Sequence, residues 1–148
     1  MKTPIIATML IAICLASNAK AVDNITTRDA PDLRAVRDSI EARDYPAAIA
    51  ELKPMLVTHQ HADVYNLMGF ALRKSGDAKQ AFIFYRKALD FDPKHKGALE
   101  YLGELYVETG QIDKARENVA KLKTLCPSGC EELADLEQAI AAAPPKTN

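Results

Sequence analysis

Residues 62–95 read ADVYNLMGFALRKSGDAKQAFIFYRKALDFDPKH, and residues 96–129 read KGALEYLGELYVETGQIDKARENVAKLKTLCPSG. Laid one over the other, the two stretches align without a gap at a spacing of 34 residues. Tyr65, Met68, Gly69, Leu72, Ala81, Tyr85, Ala88 and Pro93 fall on Leu99, Leu102, Gly103, Tyr106, Ala115, Val119, Leu122 and Pro127. Apolar residues meet apolar residues, Gly meets Gly, Ala81 meets Ala115, and Pro meets Pro. A fixed period of this length marks stacked supersecondary units rather than one globular core.

Each unit reads as two helices. The first unit of the pair predicts helices over 62–74 and from Asp77 to about Asp90, divided at Ser75-Gly76, with Asp77 and Gln80 spaced as a capping box. The second predicts helices over 96–108 and 112–125, divided at Thr109-Gly110. A glycine inside a helix costs about 1 kcal/mol against alanine, so Gly69 and Gly103 imply close contact with the second helix of the same hairpin. Ala81 and Ala115 are small for the same contact. Tyr65, Leu72, Tyr85, Leu99, Tyr106 and Val119 are the larger knobs, Ala88 and Leu122 face the following unit, and Pro93 and Pro127 end the second helix. No strand alternation competes with this pattern.

Outward from the repeats, 29–61 form a weaker hairpin. Leu33, Val36 and Ile40 share one helical face, Asp44 is an N-cap, and Pro46 sits in the opening turn of a helix carrying Ala48, Ile49, Leu52, Met55 and Leu56. Pro54 lies inside that pattern and predicts a kink or an end near Lys53. The spacing from Ala48 to Ala81 is 33, not 34. On the other side, Cys126-Pro127-Ser128-Gly129-Cys130 precedes a last helix striped by Leu133, Leu136 and Ile140, with Ser128 and Glu131 spaced as a capping box. Pro144-Pro145 ends it.

The N-terminus reads as a leader. Met1, Lys2 and Thr3 are followed by an uncharged apolar run from Ile5 to Leu15 and by small residues ending in Ala19-Lys20-Ala21. This is the pattern of a bacterial secretory signal peptide over 1–21; the alternative is an uncleaved anchor. Ile13 stands before Cys14 where a lipidation site wants a small residue. With Lys2 and Lys20 removed, 17 basic residues face 20 acidic ones, a net charge of −3. Nucleic-acid and anionic-membrane binding need concentrated positive charge and are not expected. No later apolar run is long enough to span a bilayer. A periplasmic or secreted location, in a Gram-negative bacterium, follows as an expectation.

The repeated pattern resembles the tetratricopeptide repeat. In one unit it is Tyr65, Met68-Gly69, Ala81, Tyr85, Ala88 and Pro93, with Leu72 where the family has Tyr; in the next it is Leu102-Gly103, Tyr106, Ala115 and Pro127, with Leu99 and Val119 in aromatic slots. The implied fold is an all-α solenoid of about three helix-turn-helix units with a C-terminal capping helix. Its parts are the signal peptide (1–21), a flexible entry (22–28), a degenerate first repeat (29–61), repeats at 62–95 and 96–129, the capping helix (130–143) and a tail (144–148). The resemblance implies a concave groove lined by the first helix of each unit, here by Asp63, Asn66, Phe70, Arg73 and Lys74, and by Glu100, Tyr101, Glu104, Val107 and Glu108. Glu100, Glu104 and Glu108 stand at i, i+4 and i+8 and share a face. Unless paired, they invite a basic segment of a partner; the alternative is a plain solvated helix face. The family's carboxylate clamp is not recognisable, Asn66 being its one tempting member.

The reactive constellation is Cys126 and Cys130. Pro and Gly between them permit a bend within disulfide reach. One reading is a staple between the last repeat and the cap; the other is a redox pair, with Cys130 in the first turn of a helix. The C-x-x-x-C spacing and the absence of a βαβ pattern favour the staple. Glu131 stands where haem attachment would need His. His59, His61 and His95 read as surface histidines, since structural zinc wants four converging ligands. No nucleophile elbow, phosphate loop or H-E-x-x-H motif is present. The expected function is a non-catalytic interaction module or adaptor for a protein or peptide, without cofactor or metal, and with self-association open to it; the alternative is a thiol-redox protein using the cysteine pair.

Overall fold

The computed structural model describes residues 31–144. The leader and entry expected at 1–28, and the tail beyond Pro144, lie outside the described residues. Among those described, seven helices and no strand occur: α1 (Arg34–Glu41), α2 (Tyr45–Thr58), α3 (Ala62–Lys74), α4 (Ala78–Phe91), α5 (Lys96–Glu108), α6 (Ile112–Leu125) and α7 (Glu131–Ala142). Each helix packs on the next in sequence, and α5 also packs on α7. The architecture is an α-solenoid of hairpins α1/α2, α3/α4 and α5/α6, closed by α7.

One turn design recurs in all three hairpins. Gly76 and Gly110 take left-handed φ angles of 90° and 74°. The amide after each donates back across the turn, Asp77 to the Leu72 carbonyl (2.9 Å) and Gln111 to that of Tyr106 (2.7 Å). This closes the helix with a Schellman motif. Arg43 holds the same place in the first hairpin with φ 60°, and Asp44 donates to the Ser39 carbonyl at 2.8 Å. A side chain in that region costs about 1–2 kcal/mol, so the degenerate hairpin keeps the geometry at some expense. Asp44 and Asp77 then cap the returning helices by accepting from the amides of Ala47 and Gln80, each at 3.0 Å.

Three local expectations are corrected. Helix α2 does not end near Lys53 but runs through Pro54 to Thr58. Ala50, whose carbonyl Pro54 cannot bond, lies with Pro54 on the exposed side, so the missing helix bond falls toward solvent and not in the core. Ile49, Leu52, Met55 and Leu56 pack into the first core cluster on both sides of the proline and hold the helix together. The N-cap of α7 is Cys130, without a side-chain cap bond, and not Ser128; the disulfide loop places Ser128 outside the helix. The first helix of the hairpin expected over 29–61 is shorter than that span allows, with α1 beginning at Arg34.

The glycines are sites of close approach, though not both in the expected way. A Cβ on Gly69 would stand 2.7 Å from Tyr85 ring carbons, in the second helix of the same hairpin. A Cβ on Gly103 would stand 2.5 Å from a Leu136 methyl. Gly103 therefore makes room for α7, and its nearest neighbour is not Ala115. The reason is side-chain size. Val119 occupies the slot that Tyr85 fills one repeat earlier, and fully buried Leu136 reaches into the space. Leu136, Leu133, Leu122, Ala115 and Tyr106 belong to one core cluster, so α7 is continuous with the core of the last hairpin.

Candidate functional site

Helices α1, α3, α5 and α7 present a common face, and two adjoining pockets lie on it. The larger, of about 310 Å³, takes Asp63, Asn66 and Leu67 from α3, and Gly97, Glu100 and Tyr101 from α5. Its other walls are Arg37 of α1, His95 before α5, and Glu131, Glu132 and Asp135 of α7. The smaller, of about 160 Å³, is more apolar and lies among Arg37, Ile40, Glu41, Leu67, Phe70 and Tyr101. Arg37, Leu67 and Tyr101 border both, so the two form one groove.

Phe70 and Tyr101 line the groove with ring centroids 5.0 Å apart, and Phe70 meets Tyr45 edge-on at 6.4 Å. Lys74 lies over Phe70, its ammonium 5.3 Å from the ring centroid. Burial, then the nearby carboxylates of Glu100 and Glu104, push the Tyr101 hydroxyl up to about 12, so it remains a neutral donor at physiological pH.

The acidic ridge is not left unpaired. Arg73, whose side chain is only 7% exposed, reaches from α3 to α5, donating to Glu104 and, at 2.6 and 3.1 Å, to Glu108. Burial by itself lowers the guanidinium's pKa, but Glu108 and Glu104 hold it above its ordinary value. Arg73 is thus a strut between hairpins, and two of the three aligned glutamates are spent on it. Val107 turns instead toward the core.

Glu100 is different. It is 7% exposed and lines the larger pocket. Desolvation above all, then the charges of Glu104, Asp135, Glu132 and Glu131, push its carboxyl up to about 8. Asn66, one hairpin earlier, is 6% exposed, and among the described residues its side-chain oxygen has no hydrogen-bond partner.

Two kinds of residue escaped the sequence reading. His61 and His95 are not merely surface residues. Each caps a helix, accepting from the amide of Asp63 (3.2 Å) and Ala98 (3.1 Å). The His95 side chain is 14% exposed, and its Nε2 lies 2.8 Å from the Asp63 carboxylate across the hairpin boundary. That bond, more than burial opposes it, holds the Asp63 carboxyl below its usual range. The signal was in the sequence, since His61 and His95 are themselves 34 apart. The second kind is Glu131, Glu132 and Asp135, which belong to a helix read only as a cap. Among the described residues no group of three or more His, Cys, Asp or Glu is placed to hold a metal ion.

Cys126 and Cys130 are joined, with Cα atoms 5.9 Å apart. They link the last residue bounding α6 to the first bounding α7 and pack against the core. The groove's fourth wall is therefore tethered covalently to the third hairpin. Among the described residues no helix is long and apolar enough to cross a membrane.

Tandem helical hairpins with a groove along their first helices define a class of stacked-repeat proteins. Residues 72–124 match the family described as Tetratricopeptide repeat, and the stacked helical hairpins over that stretch agree with the match. Such repeats are in general protein–protein interaction modules and are typically non-catalytic. The chain is similar to BBSome complex member BBS4 of Bos taurus, 29% identical over 89 residues, which are 60% of this chain and 17% of that protein. It is also similar to the uncharacterized protein ycf37 of Pyropia yezoensis, 34% identical over 64 residues, 43% of this chain and 36% of that one. A third relative is the probable biofilm formation methyltransferase WspC of Pseudomonas putida, 42% identical over 55 residues, 37% of this chain and 13% of that one. The chain spans between 13% and 36% of the length of these relatives.

Proposed function

We propose that the protein is an exported, non-catalytic adaptor that holds a segment of a partner protein in the groove along α1, α3, α5 and α7. The observation that carries this reading is the pair of adjoining pockets, one polar and acidic, one apolar, with the Phe70–Tyr101 aromatic pair beside them. A side-chain pocket flanked by an apolar one is suited to an extended segment that inserts successive side chains. The relative named as a member of a complex is in keeping with such a role. Export is supported by the leader pattern at 1–21 and by a cysteine pair joined as an oxidising compartment would join it. In this reading the disulfide is a staple for α7.

Site-specific photo-crosslinking in a periplasmic extract tests it. A crosslinker at Phe70, in the groove, is expected to capture a discrete protein, and one at exposed Ile83 on α4 is not. Capture at Ile83 with none at Phe70 would refute groove binding.

A further inference from the structure

Glu100 and Asn66 are the buried polar residues of the larger pocket's wall, and neither side chain finds a hydrogen-bond donor among the described residues. Glu100 has neither a hydrogen bond nor an ion pair among the described residues, and the Asn66 side-chain oxygen has no donor. A buried acceptor without a donor, as the Asn66 oxygen is, is costly and rare, and the unpaired carboxyl of Glu100 lines the same pocket. The neighbouring acids are otherwise engaged: Asp63 with His95, Glu132 with Lys96 at 3.4 Å, and Glu104 with Arg73. Gly97 keeps the wall open, since a Cβ there would stand 3.3 Å from the Asn66 amide nitrogen. Glu131 and Asp135 stand exposed at the rim, and Tyr101 supplies an aromatic face. Among the described residues the carboxylates are not grouped for a metal ion.

We infer that this pocket, within the interaction groove proposed above, receives a basic side chain of the partner segment, a lysine ammonium or an arginine guanidinium, with Glu100 as counter-ion and the Asn66 carbonyl as second acceptor. A charged donor satisfies both orphaned groups at once. The stem of a basic side chain lies against the Tyr101 ring, whose face attracts the cation. The adjoining apolar pocket takes the side chain next along.

Binding is coupled to a proton. Burial first, then the charges of Glu104 on its own helix and of Asp135, Glu132 and Glu131 on α7, keep Glu100 protonated near neutral pH; Arg37 from α1 and the His95–Asp63 pair complete its charged surroundings. When the cation enters, the Glu100 O–H bond breaks, the proton leaves to buffer, and the carboxylate pairs with the cation. Affinity therefore rises with pH up to about 8, by at most about tenfold per pH unit.

The test uses the full chain and three blocked pentapeptides that differ at one residue: arginine, lysine, or citrulline, the neutral isostere of arginine. Amide chemical shifts of Gly97 and Glu100 report the site, and calorimetry in two buffers of different ionisation enthalpy reports the proton. Expected are saturable shifts with the arginine and lysine peptides, none with citrulline, and release of up to one proton. Glu100→Gln, an isosteric change, is expected to weaken binding by about tenfold or more and to abolish the pH dependence. Glu131→Gln with Asp135→Asn, at the exposed rim, is expected to weaken it a few-fold. Equal binding of the citrulline peptide, or unchanged binding by Glu100→Gln, would overturn the inference. So would agmatine alone binding as tightly as the arginine peptide, which would make the site one for a free small cation. Loss of all peptide binding while Phe70 still crosslinks would sink this inference and leave the groove reading standing. Crosslinking at Ile83 alone would sink the groove reading itself.

Discussion

Replacing Glu100 by Gln should make the protein more stable, and the gain should depend on pH in a defined way. Glu100 is almost wholly buried, and its carboxyl stands at about 8 in the fold against 4.5 for the free group. At about 1.36 kcal/mol per pKa unit, that displacement at full strength is worth about 5 kcal/mol. The pocket opens to water, and screening is taken to remove roughly half of this, leaving about 2 kcal/mol. Below the unfolded value of 4.5 the group is protonated in both states and costs nothing. As pH rises from 4.5 toward 8, the unfolded chain gives up the proton while the fold keeps it. The unfolded state then binds fewer protons, so stability falls with rising pH until the folded carboxyl also ionises. Gln is insensitive to this. Urea denaturation of both proteins, followed by circular dichroism, should show nearly equal stability near pH 4 and an advantage for Glu100→Gln of about 2 kcal/mol near pH 8. Parallel pH profiles, or a variant less stable near pH 8, would refute the placement of an unpaired carboxyl in this pocket. A residue that lowers stability and serves binding is a familiar trade.

Three further outcomes are expected. Gly69→Ala should destabilise by about 1–3 kcal/mol in thermal melts despite alanine's better helix propensity, because the Tyr85 ring 2.7 Å away is packed and fully buried; Gly103→Ala should cost less, since the clash is with the flexible end of Leu136. Arg73→Met should cost about 1–3 kcal/mol by chemical denaturation, because it strands Glu104 and Glu108 on one helix; a double-mutant cycle with Glu104→Gln should recover a coupling of the same order. Reducing the Cys126–Cys130 bond should lower stability by about 2 kcal/mol, the loop-closure value for so short a ring, and should raise amide exchange in α7 above that in α5; an unchanged exchange pattern would mean that α7 is held by its apolar contacts alone.

The hairpins, their turns and their caps were legible in the chain because each is decided by atoms a few residues apart. Gly76 and Gly110 close helices through bonds that span five residues, and Asp44 and Asp77 cap through bonds that span three. Such contacts travel with the local sequence, which is why helices expected over 62–74, 96–108 and 112–125 are the spans of α3, α5 and α6. The 34-residue period added the stacking, since a hairpin with one apolar face must cover it with the next. Pro54 misled because its effect depends on which side of α2 faces water, and a local rule does not contain that.

The candidate site was visible only in outline. Asn66, Phe70, Glu100 and Tyr101 could be placed on one face by helical spacing, but their chemical states could not. Whether Glu104 finds a counter-charge depends on how far one hairpin is rotated against the next, and that offset brings Arg73, 31 residues away, within hydrogen-bond range. The repeat by itself determined a solenoid and the face that its groove would use. Tertiary packing alone decided that Arg73 neutralises two glutamates, that α7 swings Leu136 against Gly103 and so walls the pocket, and that Glu100 is left without a partner among the described residues. Charge pairing is set by distances between elements, and a one-dimensional pattern carries periods within an element, not the distances between them.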